Sequence, residues 1–219
     1  MQDDRLKRQN NIAGKYCLST AYLAPVEYYL VLTNADEILL EQYEFFVKQS
    51  YRNRCVIATA NGLMDLTIPV EKSEGGKILI RDVRVSGHGN WQIQHWRSIE
   101  SAYNSSPFFE FYADDLVCFY ERKWNFLWDF NLELQQKMLE LIDSQPEIKL
   151  TTTYVRHFSD DVKDLRAGIH PKKEPGMNHF QPYYQVFQEK YGFQQNLSIL
   201  DLLLNMGNEA ILTLKNREK

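Results

Sequence analysis

Cysteine is scarce in this chain: Cys17, Cys55 and Cys118 are far apart and form no CxxC pair. Neither a disulfide framework nor a zinc knuckle is supported, and reduced, buried thiols are expected. A basic excess is missing too. The formal net charge of -4 argues against a general binder of nucleic acid or anionic membrane, so any basic site must be local. No apolar run approaches the length that spans a bilayer, and the opening MQDDRLKRQNN has no apolar segment behind its charges. A cytoplasmic location is the expectation. GxGxxG, P-loop, GxSxG and HExxH patterns are absent, and the five histidines do not cluster at metal-ligand spacing. Dinucleotide, ATP and zinc chemistry therefore lose support, and no cofactor or metal is expected.

What is present is ample core-forming sequence: 44% hydrophobic and 13% aromatic residues. The pattern predicts a disordered arm over residues 1–14, then a single mixed α/β domain over 15–219. Its sheet is expected to be mixed, to include a β-hairpin and to be covered by several helices. Lys15 to Ala24 reads as a strand, Pro25 opens a helix, and Asp36 to Glu41 reads as the next strand. Cys55 to Ala60 and Leu63 to Val70, joined at Asn61-Gly62, read as the hairpin. Ile78 to Val85 alternates as another strand would. Asn90 is placed to cap a helix from Trp91 to Tyr103, with a stripe of Ile93, Trp96, Ile99 and Tyr103. Further helices are expected from Ser106-Pro107 to about Tyr120, and from Trp124 to Asp143. Ser159 to Pro182 is poor in large apolar residues and reads as a lid or an irregular excursion.

The segment KQSYRNRC (Lys48 to Cys55) carries the most pointed chemistry. As a strand it would place Lys48, Arg52 and Arg54 on one face, a clamp suited to carboxylate or phosphate. A solvated edge strand blunted by its cations is the competing reading. Other candidates carry the same tension. His95 suits a general base at neutral pH, or else a boundary histidine bonded to a carbonyl. Glu100 is either partly buried and paired or at the rim. His170, Lys172 and Lys173 give the expected lid a basic group, which a solvated loop explains equally well. Ser198 and Asp201 sit at capping-box spacing, with Gly207 as terminator. Cys55 could be a nucleophile only if the neighbouring Arg54 lowered its pKa.

KQSYRNRC, together with AYLAPVEYY (Ala21 to Tyr29), LTIPVEK (Leu66 to Lys72), Arg81 to Tyr112, and YYQVFQEKYGFQQNLSILDLLLNMG (Tyr183 to Gly207), resembles the WbqC-like family of bacterial proteins. HWRSIESAYNSSPFFEFY and IHPKK look like the variant found in Bacteroides-type bacteria. Other branches place a Gln before the first proline motif, where this chain has Ala21-Tyr22. The resemblance implies a cytosolic protein associated with O-antigen and other surface-polysaccharide synthesis. It suggests an acyl or aminoacyl transferase acting on an amino-sugar precursor. In that reading His95 and Tyr103 are catalytic, while Lys48, Tyr51, Arg52, Asn53, Arg54, Tyr22, Gln185, His170 and Lys172 bind substrate. Pro25, Ser198 and Asp201 also match the family's motifs. The alternative is a non-catalytic binding or assembly protein that recognises an anionic ligand such as a sugar nucleotide. A structural partner docking through aromatic surface is the third reading. The oligomeric state stays open, a homodimer among the options.

Overall fold

β1 (Lys15–Ser19) is buried along nearly its whole length, as a strand must be when elements cover both faces of a parallel sheet. The computed structural model describes residues 12–72, 75–176 and 180–215. From β1 the chain crosses through α1 (Val26–Asn34) to β2 (Glu37–Glu41), which runs parallel to β1 with Lys15 opposite Glu37 and Ser19 opposite Glu41. Val26 to Leu32 of α1 are all buried, so this helix is core rather than surface. β5 (Ile148–Leu150) adds to β2 and β6 (Val162–Asp164) to β1, completing a parallel sheet of order β5-β2-β1-β6.

β3 (Arg54–Thr59) and β4 (Gly62–Thr67) form the hairpin, which stands as a separate two-stranded sheet and not as part of one mixed sheet. Its turn is one residue earlier than the sequence suggests. Thr59 pairs with Gly62, so Ala60 and Asn61 make the tip, and Gly62 takes the positive φ of 107°. Ile78 to Val85 is not a strand. It holds a 3-10 turn, Ile80–Asp82, flanked by single bridges to Phe45, Val70 and Phe126. Its alternation comes from meeting a different neighbour at each residue, not from one ladder.

Three helices supply the aromatic half of the core. α2 (Trp91–Tyr103) has the predicted bounds but turns a different face inward: Trp91, His95, Ile99, Ala102 and Tyr103 are buried while Ile93 is 51% exposed. Trp91 packs edge-on against Phe130 and Tyr120, and this fixes the rotation of the helix. Asn90 sits in the left-handed region and makes no capping bond. α3 (Phe109–Glu121) follows. α4 (Leu127–Leu141) then buries Leu127, Phe130, Leu134 and Met138. After the short α5 (Gln188–Tyr191), α6 (Ile199–Met206) is buried almost all round, and α7 (Ala210–Leu214) closes against α1. Most of the buried hydrophobic residues form one cluster that reaches from Ile12 to Leu214.

Two sequence boundaries move. Residues 1–11 of the expected arm lie outside the described residues, but Ile12 is buried and the Gly14 amide donates to Asp36 at 2.8 Å, so order begins before Lys15. The expected lid contributes β6 to the sheet and buries Arg166 and Ile169. Much of it is therefore framework.

Candidate functional site at the carboxyl edge of the sheet

In the strand order β5-β2-β1-β6, the chain builds outward from β1 through β2 to β5, then returns to the far side of β1. The winding therefore reverses between β1 and β6. At such a point the loops beyond the carboxyl ends separate and leave a crevice, which is where open parallel sheets hold ligands. Here the lining comes from Ser19 at the end of β1, Thr20 and Ala21 just after it, Leu165, Arg166 and Ile169 after β6, and Tyr28, Tyr51 and Arg52. The space measures about 10 Å³, roughly the room of one water.

Charged pairs hold this crevice together. Arg52 donates from Nε to Glu44 Oε1 at 2.8 Å and from Nη2 to Glu44 Oε2 at 2.6 Å. The same Nη2 reaches Ser19 Oγ at 2.6 Å and the Arg166 carbonyl at 3.2 Å. Arg166 in turn donates from Nη1 to Glu41 at 3.0 Å, and from Nε and Nη2 to Asp164 at 2.9 and 2.6 Å. Tyr154 and Phe158 lie against its guanidinium plane. Each guanidinium is thus matched by a carboxylate, as burial requires. Behind them, burial pushes the Cys17 thiol up to about 12, with Arg166 opposing.

The structure corrects the clamp drawn from sequence. Lys48 to Asn53 is a run of turns rather than a strand, with Gln49 at φ 57°, and β3 begins only at Arg54. Lys48 is exposed, Arg52 points into the core, and Arg54 pairs with Asp65 across the hairpin at 3.0 Å. The three cations share no face. Asn53 serves the framework, donating to the Ile68 carbonyl at 2.8 Å.

Tyr51, Arg52, His170 and Lys172 do come together. Tyr51 is half-buried at the crevice wall, its phenol pushed up to about 12 by burial and then by Glu27 and Asp65. Lys172 Nζ donates to Gln49 at 2.8 Å, and the Lys172 amide donates to His170 Nδ1 at 3.1 Å. Burial lowers the His170 pKa, followed by the charges of Arg52, Lys172 and Lys173.

The remaining candidates lie in two sealed networks. Tyr22 Oη bonds both His95 Nδ1 and Tyr120 Oη at 2.9 Å, and the Tyr22 and His95 rings stack. Burial pushes His95 down to about 4, against a backbone hydrogen bond at Thr67, so the ring is neutral at pH 7. In the second network Asp201 accepts from Tyr103 Oη at 3.1 Å, Tyr183 Oη at 2.7 Å and Gln185 Nε2 at 2.7 Å. Ser198 does cap α6, accepting from the Leu200 amide at 3.3 Å, but its own amide donates to Val56, so the reciprocal half of the capping box does not form. Glu100 is exposed.

Sequence reasoning missed Ser19, Thr20, Glu41, Glu44 and Arg166. Glu41 closes a predicted strand and Arg166 sits in the expected lid, and only the parallel pairing of β1 with β2 and β6 brings them together.

The model of the WbqC-like protein family matches residues 20–172, about two thirds of the chain. The chain belongs to the WbqC-like family. The matched span includes every crevice residue except Ser19, while Gln185 and Asp201 fall beyond it. A curated relative, the uncharacterized protein Rv1507c of Mycobacterium tuberculosis, is 26% identical over 215 residues, covering 84% of this chain and 89% of that protein. No solved structure matches this WbqC-like chain. Among the described residues no helix is long and apolar enough to cross a membrane, and no group of three His, Cys, Asp or Glu side chains is placed to hold a metal ion.

Proposed function

We propose that this WbqC-like chain binds a small anionic ligand at the crevice between β1 and β6, with a sugar nucleotide as the first ligand class. The observation that carries the reading is the convergence of Arg52, Arg166 and the hydroxyls of Ser19, Thr20 and Tyr51 where the winding of the sheet reverses. Because both arginines are neutralised by acids, attraction for the anion falls to Lys172 and Lys173 at the rim, with His170 beside them held towards its neutral form. The surface-polysaccharide setting implied by the resemblance is what puts sugar nucleotides first.

Binding without proton transfer by His95 or Tyr103 is the version favoured by geometry. His95 is neutral and bonded by Tyr22, and burial holds the Tyr103 hydroxyl well above its ordinary range beside Asp201. An acyl or aminoacyl transfer to an amino sugar would have to draw its chemistry from the crevice lining.

A thermal-shift comparison tests the reading, using UDP-glucose, UDP-N-acetylglucosamine and inorganic phosphate on wild type and on Lys172→Gln/Lys173→Gln. A ligand at a hundredfold over its dissociation constant adds about 2.7 kcal/mol of stability. A shift in wild type that shrinks in the double variant is the expected result. No shift with any of the three, or one indifferent to the lysines, overturns the reading.

A further inference from the structure

We infer that the end of the ligand entering this crevice is a single primary amine or hydroxyl, hydrogen-bonded by Thr20, with the anionic group outside at the lysine rim. The inference rests on the binding reading above and specifies which part of the ligand goes where.

Size is the first constraint. A space of about 10 Å³ admits one water-sized group, whereas a phosphate or carboxylate brings several oxygens. Hydrogen bonding is the second. Thr20 is 2% exposed and lines the crevice, yet its hydroxyl has no hydrogen-bond partner among the described residues. Its neighbours are committed. Ser19 Oγ accepts from Arg52 and donates to the Arg166 carbonyl at 3.1 Å, and Tyr28 Oη donates to the Ser19 carbonyl and accepts from Gln135. A hydroxyl with no partner in the protein gains a hydrogen bond from a guest, so Thr20 is, with Tyr51, a wall group with that capacity.

Charge is the third. The ion-pair network behind the crevice holds three carboxylates, Glu41, Glu44 and Asp164, against two guanidiniums, Arg52 and Arg166. A further anion pressed into it would meet net negative charge in a poorly solvated place, whereas an ammonium or a neutral hydroxyl would not. The rim has the opposite sign, with Lys172 reaching across to Gln49 and Lys173 to the Ala167 carbonyl. The ligand class that satisfies both zones carries an amine or hydroxyl at one end and a phosphate or carboxylate at the other.

Calorimetric titration with matched phosphates tests this: phosphoethanolamine, 2-hydroxyethyl phosphate, propyl phosphate and inorganic phosphate, on wild type, Thr20→Val and Thr20→Ser. Wild type is expected to bind the amine or hydroxyl compound roughly tenfold more tightly than propyl phosphate, the worth of one good hydrogen bond. Thr20→Val should lose that preference while keeping its affinity for propyl phosphate, and Thr20→Ser should restore it. Equal affinities in wild type, or a preference that survives Thr20→Val, overturn the inference and leave anion binding standing. Failure of every phosphate to bind wild type overturns both.

Discussion

Arg52 and Glu44, eight residues apart, form a two-pronged ion pair in which each side chain is less than a tenth exposed. Removing one partner leaves a buried charge uncompensated, so Arg52→Ala is expected to cost about 3–5 kcal/mol. Replacing both, as in Arg52→Met with Glu44→Leu, should cost much less. Urea denaturation of the two variants checks this. Equal losses would mean that the hydrogen bonds from Arg52 to Ser19 and the Arg166 carbonyl, not the ion pair, carry the stability.

Asp201 and His95 should act on stability in opposite directions over the same pH range. Burial raises Asp201 to about 6 against the pull of Tyr183, Gln185 and Tyr103, while an unfolded Asp titrates near 3.9. Its contribution is full below about pH 4 and is lost as pH rises through about 6. His95, lowered to about 4 by burial, contributes above about pH 6.5 and loses that as pH falls through about 4. Each effect is on the order of 3 kcal/mol, so the two largely offset in wild type. Asp201→Asn removes one side of the balance, and its urea midpoint should fall more than that of wild type between pH 7 and pH 4.5. Parallel curves for the two proteins would refute the assignment.

The legible parts of this molecule are local ones. The hairpin, α2 and the turn of chain from Pro25 into α1 are each specified by residues close in sequence, and all three are found. Arg52 is visible as unusual, but its role is not. A strand reading puts it beside Lys48 and Arg54, whereas the turn at Ser50 folds it back on Glu44. Glu41 and Arg166 are 125 residues apart, and no periodicity predicts contact across a parallel sheet at that range. The mixed α/β class was therefore readable, whereas the crevice depended on a strand order the sequence does not reveal.

Gly207 and Gly62 both take positive φ, 55° and 107°, but their surroundings differ. A Cβ at Gly62 meets nothing within 4 Å, so Gly62→Ala should cost only backbone strain, about 1 kcal/mol. At Gly207 the same atom would come within 2.6 Å of the Phe108 ring. Gly207→Ala is expected to cost more, and adding Phe108→Ala should recover part of the loss. Thermal denaturation of the three variants decides it, and equal losses at the two glycines would remove Phe108 from the account.

Cysteine chemistry offers the sharpest check on whether this chain hides a nucleophile. Cys17 and Cys55 are buried, and burial pushes both thiols well above their ordinary range, Cys17 to about 12. Arg54, the cation next to Cys55 in sequence, is paired with Asp65, whose charge raises that thiol further. Cys118 is exposed on α3. Because the thiolate is the reacting form, a thiol-specific disulfide reagent at pH 8 should modify one thiol in the native protein and all three after guanidinium unfolding. Cys118→Ser should abolish the native reaction. A fast native reaction that survives Cys118→Ser would place a reactive thiolate at Cys17 or Cys55, and would reopen covalent catalysis in a chain whose geometry otherwise favours binding.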